Sequence, residues 1–142
     1  MNIEYKYNTA SENEIYTHLL SVDNDFVVPL SKRVNINEYT KKIFEKAVCL
    51  EAWSEQQLIG LVAYYFNEKQ FFITNVSVLA MYSKNGIATI LLNHVKNDAV
   101  KKEVCEVIVE TEEPLILFYQ KQGFHISDRH SNQNIKMIYK CK

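Results

Sequence analysis

The residues best placed to do chemistry lie in one run. From Phe71 to Val95 the chain reads FFITNVSVLAMYSKNGIATILLNHV. An apolar stretch to Leu79 predicts a strand, Tyr82-Ser83-Lys84-Asn85-Gly86 a polar turn, and Ile87, Ile90, Leu91 and Val95 fall at helical spacing. A glycine at such a junction lets the backbone approach a ligand, and the free N–H groups of the helix's first turn point at whatever sits there. The chemistry implied is anion binding, suited to a phosphate. Elsewhere the inventory is thin. His18, His94, His125 and His130 lack metal-ligand spacing, so no metal is expected, and His94 is expected to be a surface or packing residue. Cys49, Cys105 and Cys141 are odd in number and far apart in sequence, with no C-x-x-C, which argues against a disulfide framework or zinc site and makes Cys49 and Cys105 buried free thiols. No Cys neighbours a His motif, so a Cys-based acyl-enzyme is disfavoured.

The turn from Ser83 to Ala88 resembles the acyl-CoA loop of the GNAT superfamily of N-acyltransferases, written [Q/R]-x-x-G-x-[G/A] after a strand ending near V-x-P-x-Y. Val78, Tyr82, Gly86 and Ala88 fit; Ser83 stands where Gln or Arg is usual and Ala80 where Pro is common. Phe118-Tyr119-Gln120-Lys121-Gln122-Gly123-Phe124 is similar to the superfamily's later F-Y-x-x-x-G-F signature and follows in the right order. The resemblance implies an acetyl-CoA-dependent N-acetyltransferase that transfers directly to an amine in a ternary complex. It implies that Ser83, Lys84, Asn85, Gly86, Ile87, Ala88 and Thr89 hold the pyrophosphate, with Lys84 able to add a charge-assisted contact. Val76 and Val78 would bind the pantetheine arm, the N–H of Val78 polarising the thioester carbonyl. Tyr119 would protonate the leaving thiolate.

The base is left open. The central strand reads Ile73-Thr74-Asn75-Val76-Ser77, without the carboxylate many relatives carry. Glu51, Glu110, or a water organised by Thr74, Asn75 or Tyr64 are the alternatives. Phe26, Leu30 and Arg33, in the connection between the first two helices, are either acceptor-pocket lining or a cover for the core.

These groups need a scaffold, and its elements are legible in order. Met1 to Asn8 alternates as a half-buried strand. Ser11 with Glu14 forms a capping box for a helix through Ile15, Leu19 and Leu20, and Asn35 with Glu38 caps a second whose face carries Ile36, Tyr39, Ile43, Phe44 and Ala47. Val48 to Trp53, Leu58 to Phe66 and Gln70 to Leu79 make an antiparallel meander. The helix from Gly86 to Val100 returns the chain to a parallel strand at Val104 to Val109. Pro114 opens a helix that Gly123 stops, and Phe124 to Arg129 with Asn134 to Cys141 closes the sheet as a hairpin. The expected fold is α/β (α+β), a GNAT-type mixed, splayed sheet flanked by helices in the order β-α-α-β-β-β-α-β-α-β-β, forming a single domain over residues 1–142.

Composition bounds the partners. Sixteen Lys and Arg against seventeen Asp and Glu leave a net charge of −1, which favours neither nucleic acid nor an anionic membrane. With no signal-type leader and no span-length apolar run, the expectation is a cytoplasmic protein. The expected acceptor is a small-molecule amine: an amino sugar, amino acid or polyamine. A protein or peptide amine, a catalytically weak acyl-CoA-binding regulatory module and a homodimer stay open.

Overall fold

The computed structural model describes residues 2–142. Seven strands form one sheet: β1 Glu4–Tyr7, β2 Val48–Ser54, β3 Gln57–Phe66, β4 Gln70–Val78, β5 Glu106–Thr111, β6 His125–Ser131 and β7 Asn134–Lys140, in the spatial order β1-β2-β3-β4-β5-β7-β6. Met1, the first residue of the expected opening strand, lies outside the described residues. Helices α1 Glu12–Val22 and α2 Ile36–Lys46 cover one face; α3 Ile87–Lys101 and α4 Ile116–Lys121 cover the other. The order of elements is the one the sequence predicts, and β4 with β5 is the parallel pair that a helical crossover demands.

Both early helices start where their caps say. Ser11 Oγ accepts the Glu14 N–H at 3.1 Å while the Glu14 carboxylate accepts the Ser11 N–H at 2.8 Å, and Asn35 Oδ1 accepts the Glu38 N–H at 3.0 Å. Their buried faces are narrower than expected. Leu20 is 48% and Phe44 47% exposed, because each sits one residue, about 100° of helix rotation, past a core position at Leu19 or Ile43. Cys105 is also exposed, contrary to expectation, since it lies in the connection just before β5; Cys49 is buried, its thiol pushed up to about 12 by burial and then by the charge of Glu51.

The sheet and its two helical layers are fitted at specific points. A Cβ on Gly60 in β3 would lie 3.0 Å from Ile87 Cγ2 and 3.4 Å from Leu91 Cδ1, so the first turns of α3 rest almost directly on the strand backbone. On the other face Glu51 is fully buried in a structural role. Its carboxylate accepts the N–H groups of Thr9 and Ala10 at 3.0 Å, the Thr9 hydroxyl at 2.6 Å and the Trp53 indole N–H at 3.0 Å, which ties the β1–α1 connection to β2. That engagement removes Glu51 from the candidate bases.

His18 on α1 anchors a second buried chain. Leu58 carbonyl can only accept, so His18 Nδ1 carries the proton it donates at 3.1 Å, and Nε2 accepts the Ser77 hydroxyl at 2.8 Å. Ser77 Oγ in turn accepts from Asn75 Nδ2 at 2.9 Å, and Asn75 also donates to the Leu61 carbonyl. A second proton on the ring would take the place of the Ser77 hydroxyl hydrogen, which would then lose its acceptor. Burial accordingly pulls the His18 pKa from 6.5 down to about 4, against the Leu58 hydrogen bond, which acts the other way.

The unfolded chain therefore binds this proton more readily than the folded one. The stability tied to the neutral ring is complete above about pH 6.5 and is lost as pH falls toward 4. Between pH 7.5 and 5.5 this single group should remove about 1.4 kcal/mol of unfolding free energy. Urea titrations of the wild type and His18→Leu at both pH values check it: the variant starts less stable but lacks this loss. An equal loss in both proteins would assign the pH dependence to other groups.

Candidate active site

The site begins with one extra residue in a strand. Ala63 of β3 faces Asn75 of β4 while the next residue, Tyr64, faces Ile73, leaving Thr74 as a bulge. The parallel pairing of β4 with β5 ends at the same place, running only from Gln70 opposite Glu106 to Ile73 opposite Val109. Beyond it β5 stays with β7 as far as Thr111, and β4 leans away with β3. This is the expected splay. Tyr39 of α2 holds the bulge, its hydroxyl donating to the Thr74 carbonyl at 2.6 Å and lying 3.0 Å from Thr74 Oγ1. Burial pushes that phenol up to about 12, so it remains a donor.

Two adjoining cavities fill the gap. The larger, about 420 Å³, lies between Thr74 and Val76 on β4 and Glu110 and Glu112 at the end of β5, under Phe26, Leu30 and Arg33. Those three belong to the α1–α2 connection, which is therefore pocket wall and not merely cover. The smaller, about 230 Å³, runs along Val76, Ser77 and Val78, faced by Pro114 and Leu115. Phe26, Val76, Glu112 and Leu115 line both.

Tyr119 stands in the wall of the larger cavity, 3% exposed. Its ring is set edge-on between Phe118, with centroids 5.1 Å apart, and Phe124, at 5.5 Å. Gly123 makes this possible. It has φ +95°, where side chains are strained, and a Cβ there would meet the Tyr139 ring at 3.2 Å; the chain can then turn back so that the Phe124 N–H bonds the Tyr119 carbonyl at 3.0 Å. Burial first, and then the charge of Glu112, raises the Tyr119 pKa well above its ordinary 10.

The polar turn lies at the N-terminus of α3. A 3-10 turn, Ala80–Tyr82, precedes it, Ser83 Oγ donates to the Ala80 carbonyl, and Asn85 Nδ2 donates to the Tyr82 carbonyl at 2.9 Å. Lys84 has φ 69° and Gly86 φ 74°, so two left-handed residues curl the backbone before the helix. Gly86 is the N-cap, no side chain caps the helix, and a Cβ on Gly86 would meet nothing within 4 Å. An uncapped helix start beside open space is what a phosphate group requires. The side chains of this segment are mostly committed elsewhere. Ile87 is buried in the core, and Thr89 Oγ1 accepts from Gln122 Nε2 at 3.0 Å, tying α3 to α4. What Ile87, Ala88 and Thr89 can offer a ligand is backbone N–H.

The structure sorts the remaining base candidates. Glu110 is exposed in the wall of the larger cavity, and Thr74 and Asn75 also line it, although the Asn75 amide is already spent on Leu61 and Ser77. Tyr64 is not there: it is buried on the α3 face, stacked on Phe71 with centroids 4.3 Å apart. Glu112, which sequence reasoning passed over, is 6% exposed at the junction of the cavities, one oxygen accepting the Val27 N–H at 3.0 Å. In Glu110-Thr111-Glu112-Glu113 it looks like one member of a solvated acidic run, and only its place where β5 ends beneath the α1–α2 connection buries it. Tyr65 and Gln133 were likewise missed as wall residues. His94 packs against Tyr5 and Tyr7, at 6.2 and 6.1 Å between centroids. Among the described residues no three His, Cys, Asp or Glu are grouped to hold a metal, and no helix is long and apolar enough to cross a membrane.

Comparison with known proteins gives the same fold and adds a family. The model of the acetyltransferase (GNAT) family matches residues 12–124. No curated protein matches the chain in sequence. Among solved structures it is similar to an aminoglycoside 6'-N-acetyltransferase complexed with coenzyme A, at 14% identity and TM-score 0.77, covering 100% of this chain and 98% of that one. It is also similar to the PaiA N-acetyltransferase from Thermoplasma acidophilum in complex with coenzyme A, at 17% identity and TM-score 0.76, covering 99% of each chain. A third is the ribosomal-protein-S18-alanine N-acetyltransferase from Escherichia coli, at 12% identity and TM-score 0.78, covering 98% of this chain and 95% of that one. Splayed sheet, open glycine turn and family match converge: this chain belongs to the GNAT family of acetyltransferases, with acetyl-CoA as its acyl donor.

Proposed function

We propose that this protein, acting as a single catalytic domain over residues 1–142, moves the acetyl group of acetyl-CoA directly to a primary amine of a small molecule. The observation that carries this reading is the parting of β4 from β5 after Ile73 and Val109, which opens two cavities meeting at Val76 and Glu112. A slot along a strand's open edge suits an extended arm, and a larger chamber next to it, carrying charged side chains, suits an acceptor. At about 420 Å³ the chamber is near the small end of ligand pockets. The same reading places the protein in the cytoplasm and leaves a homodimer open.

Acetyl-CoA, when bound, supplies a thioester carbonyl for the amine to attack and a sulfur that leaves. The chain's own part is to hold, orient and stabilise. Backbone N–H groups from Lys84 to Ala88 grip the pyrophosphate, Gly86 leaving room and the dipole of α3 adding favourable potential. Val76 and Val78 present backbone to the pantetheine arm, and the Val78 N–H supports the charge that develops on the carbonyl oxygen. A wall carboxylate, Glu110 or Glu112, receives the amine's proton as the C–N bond forms and the C–S bond breaks. Tyr119 acts on the sulfur. With its pKa raised above 10 against about 8.5 for a thiol, complete proton transfer is uphill, so the phenol serves by donating a hydrogen bond to the departing sulfur. The sulfur's final proton is then the one the amine gave up, returned through the carboxylate or solvent.

Two variants test this. Tyr119→Phe should lower kcat by about 10²-fold while KM for acetyl-CoA stays within about twofold. Because the phenol keeps its proton throughout the pH 6 to 9 range used, wild type and variant should share the shape of their pH profiles; a limb lost with the hydroxyl would contradict the role given to it. Turnover with neither protein, despite binding of acetyl-CoA, would favour the regulatory-module reading. Gly86→Glu meets no steric conflict inside the protein and costs about 1 kcal/mol of backbone strain. It should nonetheless abolish coenzyme A binding by calorimetry, through charge repulsion and occupation of the open space, with the melting transition retained. Unchanged affinity would remove the turn from the site.

A further inference from the structure

The charges of the larger cavity describe its acceptor more closely, and this step rests on the transfer reading above. Three charged side chains line it: Glu112, Glu110 and Arg33. Glu112 is almost fully buried, yet its protein hydrogen bond is a single one from the Val27 N–H, and among the described residues it forms no ion pair. A buried carboxylate without a cation is costly, and an incoming ammonium would complete it.

Arg33 is unpaired in the same sense: no carboxylate among the described residues forms an ion pair with it. Its guanidinium lies over the Phe26 ring, 5.4 Å from the centroid. Phe26 is the chain neighbour of Val27, whose N–H holds Glu112. One short segment thus positions a cation and holds an anion that form no ion pair with each other, both in the wall of one chamber. A stacked guanidinium keeps its forked donors free for a carboxylate. A third unused group points the same way: the Tyr65 hydroxyl is buried without a partner in the cavity wall, whereas the neighbouring wall hydroxyl of Tyr39 is spent on Thr74. Leu30, Val34 and Phe72 give the same chamber apolar wall.

We infer that the acceptor is a small zwitterion with an apolar body, of the α-amino-acid type, its ammonium held by Glu112 and its carboxylate by Arg33. A polyamine or an aminoglycoside would set additional positive charge against Arg33 and leave that residue unpaired. A peptide N-terminus would supply the amine without the adjacent carboxylate.

The test measures coenzyme A release from acetyl-CoA with free leucine, methionine and phenylalanine, their carboxamides, spermidine and kanamycin. The free amino acids should exceed every other class in kcat/KM by about tenfold or more. Arg33→Gln should raise KM for the free amino acids by about tenfold with kcat within about threefold, and leave KM for the carboxamides unchanged. Calorimetry of leucine added to the protein with coenzyme A gives a readout apart from turnover; binding should be present in the wild type and lost in Arg33→Gln and Glu112→Gln. If Glu112→Gln does not fold, the exposed Arg33 still decides the matter. Carboxamides equal to the acids, a polyamine or aminoglycoside preferred, or no amino acid acetylated would each overturn the inference. Turnover of some other amine would overturn it while sparing the transfer reading, and acetyl-CoA bound without turnover of any amine would remove both.

Discussion

Everything at the centre of this molecule depends on one hydrogen-bonded irregularity. Thr74 is an unmatched residue in β4, and the half-buried Tyr39 donates its phenol proton to the Thr74 carbonyl. A bulge bends its strand and strengthens the local twist, so β4 cannot follow β5 past it. The four-residue parallel pairing ends there, and backbone that a regular sheet would pair becomes wall. A single bond of this kind is worth about 1 kcal/mol net. Its larger effect is geometric, since α2 is thereby coupled to the width of the gap.

Around that gap the molecule is rigid where position matters. Gly60 lets α3 lie against β3 at van der Waals distance, which fixes where the helix starts and hence where its uncapped N–H groups point. Gly123 lets the chain fold back under Tyr139 so that Tyr119 is clamped between two rings. Gln122 then bonds Thr89 and Lys96 bonds the Gln122 carbonyl, joining the ends of α3 and α4 that carry the turn and the phenol. Anion site and phenol are therefore parts of one braced unit.

The polar groups of the α1–α2 layer and of the cavity wall differ in how far they are satisfied. Glu51 accepts from three backbone or indole N–H groups and a hydroxyl, and His18, Ser77 and Asn75 form a closed chain ending on strand carbonyls. Such groups hold the α1–α2 layer to the sheet. Glu112 and the Tyr65 hydroxyl keep unused capacity in the wall of the larger cavity, where the exposed Arg33 also lies, while Thr40 Oγ1 and Asn134 Oδ1 are buried without partners away from it. Leftover hydrogen-bonding capacity is costly when buried, and where it lines a cavity it is a guide to ligand chemistry.

What the sequence determined by itself was whatever is local. The capping pairs Ser11–Glu14 and Asn35–Glu38, the left-handed Gly86 and Gly123, and the alternation of strands with helices are set by neighbours a few residues apart, and the element order follows from them. Tertiary structure decided the roles of residues whose type permits several. Glu51, Glu110 and Glu112 are indistinguishable as glutamates in or beside strands until the fold buries one against Thr9 and Trp53, leaves one on a cavity rim and places one where two cavities meet. Leu20, Phe44 and Cys105 read as core and proved exposed, because a helical stripe's width and the residue at which a strand begins depend on what packs against them. Charge and burial are properties of surroundings, and in this chain those surroundings come from segments as distant in sequence as Val27 and Glu112, 85 residues apart.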